Sequence, residues 1–213
     1  NITGNYSIAI GEDVLKNNTK SWNTAVGMQS MSTSVTGEKN IAMGFWTLKS
    51  LGNYDENVAI GHEAGANLTG GDNNIMIGSN AQASTTTTSN EITLGNSSIA
   101  TLRCQVTSIT ALSDARDKKN IEDLKVGLDF IDDLKPVTFE WDTRDGAKKD
   151  IKEVGFIAQD LDEVQQKHGI EDHLQLVLKN NPDKLEASQG KLIPILVQAI
   201  KDLKKEIDQL KNA

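Results

Sequence analysis

Short apolar triplets that end in glycine recur through the first half of the chain. The triplets AIG, AVG, AMG, AIG, MIG and TLG end at Gly11, Gly27, Gly44, Gly61, Gly78 and Gly95, at spacings of 16, 17, 17, 17 and 17 residues. In NIAMG, strand alternation points Ile41 and Met43 to one face and Ala42 to the other. The pattern predicts one short β-strand in each repeat.

A repeat of this length is too small to bury its own apolar face, so the repeats must stack or associate to complete a core. We therefore predict an all-β repetitive stalk over residues 1–104, a β-roll or solenoid with a narrow core of Ala, Ile, Val and Met. A Thr-Gly pair before several strands predicts a turn, and the glycine after each strand suits a positive φ or a close approach between coils. The polar run ASTTTTSN, residues 83–90, predicts a loop between the last coils.

The hydrophobic pattern changes to helical spacing after residue 112. The segment NIEDLKVGLDFIDDL has apolar residues at helical spacing and predicts a helix that Pro136 ends. VTFEW and EVGFIAQ predict two strands around a turn at RDGAKK, and DLDEVQQKHG predicts a helix closed by Gly169. HLQLVLKNNPDKLEAS predicts an extended pair turned at Asn181-Pro182-Asp183. These elements predict an α+β domain over residues 105–213.

The last predicted helix carries a heptad seam. Its apolar positions repeat at spacings of 3, 4, 3, 4 and 3: Ile193, Leu196, Ile200, Leu203, Ile207 and Leu210. Such a seam implies partner helices in a coiled coil, and Pro194 suits the first turn. The alternation of Ile with Leu favours two helices, and a seam packed within one chain is a further alternative.

Composition separates the same two regions. Residues 1–112 hold 12 of the 17 glycines and 5 basic and 8 acidic residues, whereas residues 113–213 hold 17 basic and 22 acidic residues. Because both regions are net acidic, we expect no nucleic-acid partner. No apolar run is long enough to cross a membrane, and the opening NITGNYSIAIG lacks the features of a signal peptide, so the chain reads as cut from something longer.

Candidate metal and cofactor ligands are sparse. His62, His168 and His173 are scattered, and Cys104 is the single cysteine, which excludes a disulfide within one chain. We expect Cys104 to be a small buried hydrophobe, because free cysteines are commonly buried. We expect no metal and no cofactor.

The repeats resemble the head repeats of trimeric autotransporter adhesins and of many phage tail fibres, in which NxAIG units stack as a β-roll in a trimer. The resemblance covers roughly residues 1–100 and implies a homotrimeric stalk. It also implies three partner helices for the C-terminal seam rather than two. A repetitive stalk without a binding site of its own is the favoured interpretation of this region.

A second resemblance begins at SDARDKKNI. Ser113-Asp114-x-Arg116-x-Lys118 followed by Ile121 resembles the opening motif of the self-cleaving C-terminal intramolecular chaperone domain of endosialidases and phage tail fibres. KPVTFEWD, EVGFIAQDLDEV and KLIPILVQAIKDLKKEIDQL match further motifs of that family in order. The resemblance implies that Ser113 is the nucleophile, Lys118 the base, and Leu112–Ser113 the bond that is cut, with Asp114 and Arg116 in supporting roles.

The residue types themselves are also compatible with a serine nucleophile and a lysine base. A serine hydroxyl needs a base, and with no histidine nearby in sequence a lysine is the available one. Burial, or cations such as Arg116 and Lys119, would favour the neutral amine that a base must be. Residues five apart lie on opposite sides of a strand and about 140° apart on a helix, so a turn must intervene or the pair must form between subunits. Lys119 is the competing base, and Ser113 as the N-cap of a solvated helix start is the non-catalytic alternative.

Together these features predict the C-terminal part of a phage tail-fibre or tailspike-like protein. Its C-terminal domain would trimerise and fold the β stalk and then release itself by Ser-Lys autoproteolysis, a single-turnover serine peptidase activity within one chain or across subunits. We expect the stalk to be part of the virion and the released domain to remain in the host cytoplasm. A host-surface receptor would be a partner of the parent fibre. The alternative is a non-cleaving structural trimerisation domain of an adhesin or fibre; an enzyme acting on an external substrate is a weaker third.

Overall fold

The computed structural model describes residues 5–33, 36–50, 52–105 and 109–212. The chain divides into two compact units, Asn1–Leu102 and Arg103–Ala213. The first predicted Thr-Gly pair, Thr3-Gly4, lies outside the described residues.

The N-terminal unit is a β-solenoid of about five turns, as the glycine period predicts. Its six three-residue strands are β1 (Ile8–Ile10), β2 (Thr24–Val26), β3 (Ile41–Met43), β4 (Val58–Ile60), β5 (Ile75–Ile77) and β6 (Ile92–Leu94). Each strand pairs in parallel with the next, so that equivalent residues of successive repeats lie side by side, as Ala25, Ala42 and Ala59 do.

In the four strands β2 to β5 the middle residue points into the coil and the residues on either side of it are more exposed. The middle residue of β1, Ala9, is exposed. Ala25, Ala42, Ala59 and Met76 are buried, together with turn residues such as Leu48. The outward positions form an exposed apolar face across the sheet: Ile8, Ile10, Ile41, Met43, Ile60, Ile77, Ile92 and Leu94. The prediction that Ile shares the coil's core is therefore wrong for these residues. The inward strand positions are mostly taken by alanine, and larger side chains of the turns, such as Leu48, fill the rest of the core.

A ladder of buried asparagines runs along the solenoid beside the strands. Asn23, Asn40, Asn57 and Asn74 are fully buried. The Oδ1 of Asn40 accepts hydrogen bonds from the backbone N–H of Asn57 at 2.9 Å and from its Nδ2 at 3.2 Å, and Asn57 repeats this pattern toward Asn74. Each amide is thus donor and acceptor to its neighbours, which satisfies polar groups that burial would otherwise penalise.

The ladder ends at Glu91, which takes the asparagine position in the last repeat. Its backbone N–H donates to Asn74 Oδ1 at 3.1 Å. Its carboxylate accepts hydrogen bonds from the N–H and hydroxyl of Ser84 and from the hydroxyls of Thr88 and Thr93. The loop predicted at residues 83–90 has no helix or strand, and its polar groups bind this carboxylate.

The glycine after each strand has a positive φ, and in all but the last repeat it also lies close to the backbone of the next coil. Gly44 has φ +140°, and a Cβ at this position would lie 2.4 Å from the carbonyl oxygen of Gly61 in the next coil. A larger residue would therefore strain the backbone and collide with the neighbouring coil.

The C-terminal unit is α+β. A 3₁₀ turn spans Ala115–Asp117; then follow α1 (Leu128–Asp132), β7 (Val137–Asp142), β8 (Lys149–Gly155), α2 (Ala158–Lys167), α3 (Glu171–Leu174), β9 (Val177–Leu178), β10 (Glu186–Ala187), a second 3₁₀ turn at Gln189–Lys191, and α4 (Leu192–Lys211). β7 pairs with β8 and β9 with β10, both antiparallel.

Three local predictions need correction. The helix predicted from Ile121 is formed only over Leu128–Asp132, because Gly127, with φ −151° and ψ −107°, interrupts the helical backbone. The second strand ends at Gly155, and the IAQ segment leads into α2 instead. Cys104 is exposed, not buried, because it lies outside any helix or strand among described neighbours that are also exposed.

One face of helix α4 packs against the core of the C-terminal unit, and another face is exposed. Leu192, Ile195 and Ala199 are buried, and the first two pack with Phe130, Leu161 and other apolar residues in the core of this unit. The predicted seam lies on a different face: Ile200 is 65% exposed and Leu203 42% exposed, and all six seam residues are exposed. The alternative in which the seam packs within one chain is therefore wrong. No helix in the described part of the chain has the length and apolar character to cross a membrane.

Candidate functional site

The segment around Ser113 makes one tight turn between two extended residues, Asp114 and Lys118. Asp114 has an extended backbone, with φ −68° and ψ 135°, and is the N-cap of the 3₁₀ turn Ala115–Asp117. Lys118, with φ −122° and ψ 146°, returns the chain to an extended path. Backbone hydrogen bonds of 3.2 Å from Asp117 to Asp114 and from Lys118 to Ala115 close the turn.

This turn brings Ser113 and Lys118 together. The Lys118 Nζ donates a hydrogen bond to Ser113 Oγ at 2.6 Å and another to the Ser113 carbonyl oxygen at 3.2 Å. A five-residue separation requires such a turn or a second subunit, and the structure has the turn within one chain. Among the contacts of the described residues, none joins the competing Lys119 to Ser113.

Asp114 holds the turn through a single carboxylate. Its Oδ1 accepts hydrogen bonds from the backbone N–H of Arg116 at 2.9 Å and from Arg116 Nε at 3.0 Å, and its Oδ2 accepts from Nη2 at 2.6 Å. The guanidinium and the backbone N–H of Arg116 keep the pKa of Asp114 below its ordinary value. Because Asp114 is the N-cap, the alternative in which Ser113 caps a helix start is wrong.

The predicted cleavage position is open to solvent in this chain. Leu112 is 83% exposed, and Ser113 and Lys118 are exposed as well. The Ser113 hydroxyl is hydrogen-bonded to the Lys118 amine, and the neighbouring Leu112–Ser113 peptide bond lies in an exposed segment. Such a pair can perform nucleophilic chemistry once the amine has lost its extra proton.

These observations define the C-terminal unit as an α+β domain that opens with a serine held against a lysine. Residues 113–170 match the model of a peptidase family described as chaperone of endosialidase. This match supports the predicted intramolecular chaperone domain in this segment, and the family's designation as a peptidase suggests self-cleaving activity. No curated protein and no solved structure matches the chain.

The match begins at Ser113 itself, shortly after the boundary between the two units in sequence. A chaperone domain of this family that follows a β-solenoid fits a tail-fibre-like protein. Sequence reasoning alone named Asp114 and Arg116 only as supporting residues and missed the way in which they are joined. An aspartate followed two residues later by an arginine was the available signal, because aspartate is a favoured N-cap.

Proposed function

We propose that this chain is the C-terminal part of a trimeric phage tail-fibre or tailspike-like protein. Its C-terminal domain would assemble and fold the β stalk and then release itself by Ser-Lys autoproteolysis between Leu112 and Ser113. The observation that carries the proposal is the 2.6 Å hydrogen bond between Lys118 Nζ and Ser113 Oγ at the start of the family match.

The proposed scissile bond, Leu112–Ser113, directly precedes the nucleophile, so the serine attacks the carbonyl group of the residue before it. Ser113 Oγ attacks the carbonyl carbon of Leu112, and Lys118 takes the hydroxyl proton and delivers it to the amide nitrogen of Ser113 as the C–N bond breaks. The Leu112 acyl group is then an ester on Ser113 Oγ. Water hydrolyses this ester, which leaves a carboxylate on Leu112 and an N-terminal amine on Ser113.

A lysine can act as a base only as a neutral amine, and Lys118 is exposed in the single chain. Burial by neighbouring chains in the assembled trimer would favour the neutral amine. The proposal therefore couples cleavage to assembly, so that an unassembled chain is not cut.

Two exposed apolar surfaces support association. One is the outward face of the solenoid strands, with Ile41, Met43 and Ile60 among its members, and the other is the seam on α4. Contiguous apolar surface of this kind is usually covered by a partner. The resemblance of the repeats to trimeric heads favours three copies of this chain as the partners.

A trimerising domain would solve a folding problem. Repetitive strands permit slipped registers between chains, and non-local β pairing is slow and prone to aggregation. Helices that associate first would hold the three stalks side by side. Removal of the domain after folding would leave a stalk held by kinetic stability.

The test is a comparison of wild type with Ser113→Ala. We expect wild type to run as two pieces on a denaturing gel, with the C-terminal piece beginning at Ser113 by N-terminal sequencing, and Ser113→Ala to remain full length. A released piece with a different first residue would show that the nucleophile and the bond are wrongly assigned.

The exposure of the Ser113–Lys118 pair also favours a second candidate, a non-cleaving trimerisation domain. In that case both proteins would be full-length trimers. The mass of purified wild type separates the two candidates.

A further inference from the structure

We propose that Asp114 and Arg116 are positioning residues that hold Lys118 on Ser113 by clamping the 3₁₀ turn between them. This inference rests on the proposed self-cleavage. It adds a role for two side chains that are placed to act on the turn and not on the reacting atoms.

The contact between Ser113 and Lys118 depends entirely on the turn. An extended chain would separate the two Cα atoms by about 16 Å, at roughly 3.3 Å per residue, and would point the side chains to opposite sides. The backbone is extended at Asp114 and again at Lys118, so the reversal is confined to Ala115–Asp117.

The turn has little other stabilisation. It is three residues long and contains no buried residue, and its two backbone hydrogen bonds are both 3.2 Å. Short 3₁₀ segments have poorer hydrogen-bond geometry than α-helices, so an exposed one needs support from side chains.

The Asp114 carboxylate supplies that support in two ways. It caps the turn by accepting the Arg116 backbone N–H, and it accepts two further hydrogen bonds from the guanidinium of the same residue. Of the six helical segments in the described part of the C-terminal unit, this turn alone has an N-cap side chain that accepts a backbone hydrogen bond. The cap is thus concentrated where the Ser113–Lys118 contact needs it.

The two contributions can be separated by substitution. Asp114→Ala removes both the cap and the clamp, and we expect cleavage to slow by about tenfold, the effect of losing one N-cap with its ion pair. Asp114→Asn keeps an oxygen that can cap the turn and should recover part of the rate. Arg116→Ala should match Asp114→Asn, and the double variant Asp114→Asn/Arg116→Ala should be no slower than either.

Asp117→Asn is the matched control, because it removes one negative charge from the same turn without touching the cap. It should cleave at the wild-type rate. The dependence of the rate on pH is the second readout: a positioning role lowers the rate by a constant factor at every pH. Wild-type cleavage in Asp114→Ala, or a curve displaced along the pH axis, would overturn the inference.

A measurement that does not need cleavage separates this inference from the proposed function. In the uncleaved Ser113→Ala protein, adding Asp114→Ala should move the NMR backbone shifts of residues 115–117 toward extended values, whereas adding Asp117→Asn should not. Unchanged shifts would show that Asp114 does not hold the turn. If Ser113→Ala is cut like wild type, the proposed function is wrong, and Asp114 has no role in that cleavage. The NMR shifts would still show whether Asp114 stabilises the turn.

Discussion

At the scale of single residues, the molecule places a weak nucleophile and a cation in contact at an exposed peptide bond. Ser113 accepts a 2.6 Å hydrogen bond from Lys118, and the carboxylate of Asp114 is fully engaged with Arg116. The pair is assembled by one turn of backbone, so no other part of this chain is needed to bring the two groups together.

The identity of the base can be tested by exchanging the lysines. We expect Lys118→Ala and Lys118→Arg both to abolish cleavage, because a guanidinium stays protonated at any usable pH. Lys119→Ala is the control and should cleave, since the structure brings Lys118 to Ser113. Gel analysis of fresh and aged samples gives the rates, and cleavage by Lys118→Arg would exclude Lys118 as the base.

The same pair predicts a pH dependence. A protonated lysine cannot accept the serine proton, so cleavage of wild type should slow as the pH falls and quicken as it rises. The measurement is a series of single-turnover rates on protein assembled before the pH is changed. A rate that rises toward low pH would contradict general-base catalysis by lysine.

At the scale of elements, the solenoid depends on buried polar groups as much as on apolar ones. Asn57 accepts two hydrogen bonds from Asn74 and donates its amide protons to Asn40 and to backbone carbonyls, including that of Gly71 at 3.0 Å. Removal of one rung leaves partners on both sides without their bonds, which costs more than the bond itself.

We therefore expect Asn57→Ala to destabilise the stalk by roughly 2–4 kcal/mol, since several buried groups lose partners at once. The same repeat offers a matched control in Asn53→Ala, because Asn53 is an exposed asparagine. Thermal unfolding followed by circular dichroism compares the two variants. Equal effects would show that the ladder carries no special stability.

Glu91 predicts a pH effect with a definite sign. Burial alone would raise the pKa of this carboxyl, but hydrogen bonds from Ser84, Thr93 and Thr88 outweigh it and leave the pKa below the ordinary value. A depressed folded-state pKa means that the carboxylate stabilises the stalk above the unfolded value near ~4.3 and that this contribution is lost as the pH falls through the folded value.

Glu91→Gln should accordingly lower the unfolding temperature of the stalk at pH 7, and its difference from wild type should shrink as the pH falls below the unfolded value. The control is Glu12→Gln, which neutralises an exposed carboxylate in the same unit. A difference that stays constant across this pH range would mean that the effect of Glu91 is not electrostatic.

At the scale of the whole molecule, two units with different hydrogen-bonding patterns follow each other along one chain. A parallel solenoid spans the first and an α+β domain the second, and each presents an apolar surface that the chain itself does not cover. The proposed assembly covers both surfaces with copies of the same chain.

The seam on α4 provides the test at this scale. Ile200→Asp with Leu203→Asp would place charges on a buried interface at a cost of several kcal/mol, so we expect loss of trimer and of cleavage. Lys201→Asp also introduces an aspartate in this helix but lies off the seam, and it should leave the trimer intact. Light scattering gives the mass, and a wild-type monomer would contradict both the seam and the stalk as trimer contacts.

The features predicted correctly from the sequence are those that require particular residue types at regular spacings. The glycine period predicts the solenoid, because positions such as Gly44 admit no other residue, and the heptad spacing predicts the exposed face of α4. The inward face of the strands was not predictable from alternation, since Ala and Ile are both apolar. The 3₁₀ turn was also missed in detail, because its shape is set by hydrogen bonds of Asp114 and not by hydrophobic spacing.

The asparagine ladder has one further consequence, which concerns growth. Each asparagine of the ladder accepts hydrogen bonds from the next asparagine through its Oδ1 and donates to the preceding one through its Nδ2, so the same pattern can be repeated coil after coil. Glu91 has no side-chain donor as a carboxylate, and its two oxygens are occupied by Ser84, Thr88 and Thr93. The side-chain ladder therefore ends at Glu91. The asparagine of a further coil stacked on Glu91 would have no free acceptor oxygen to which it could donate a hydrogen bond.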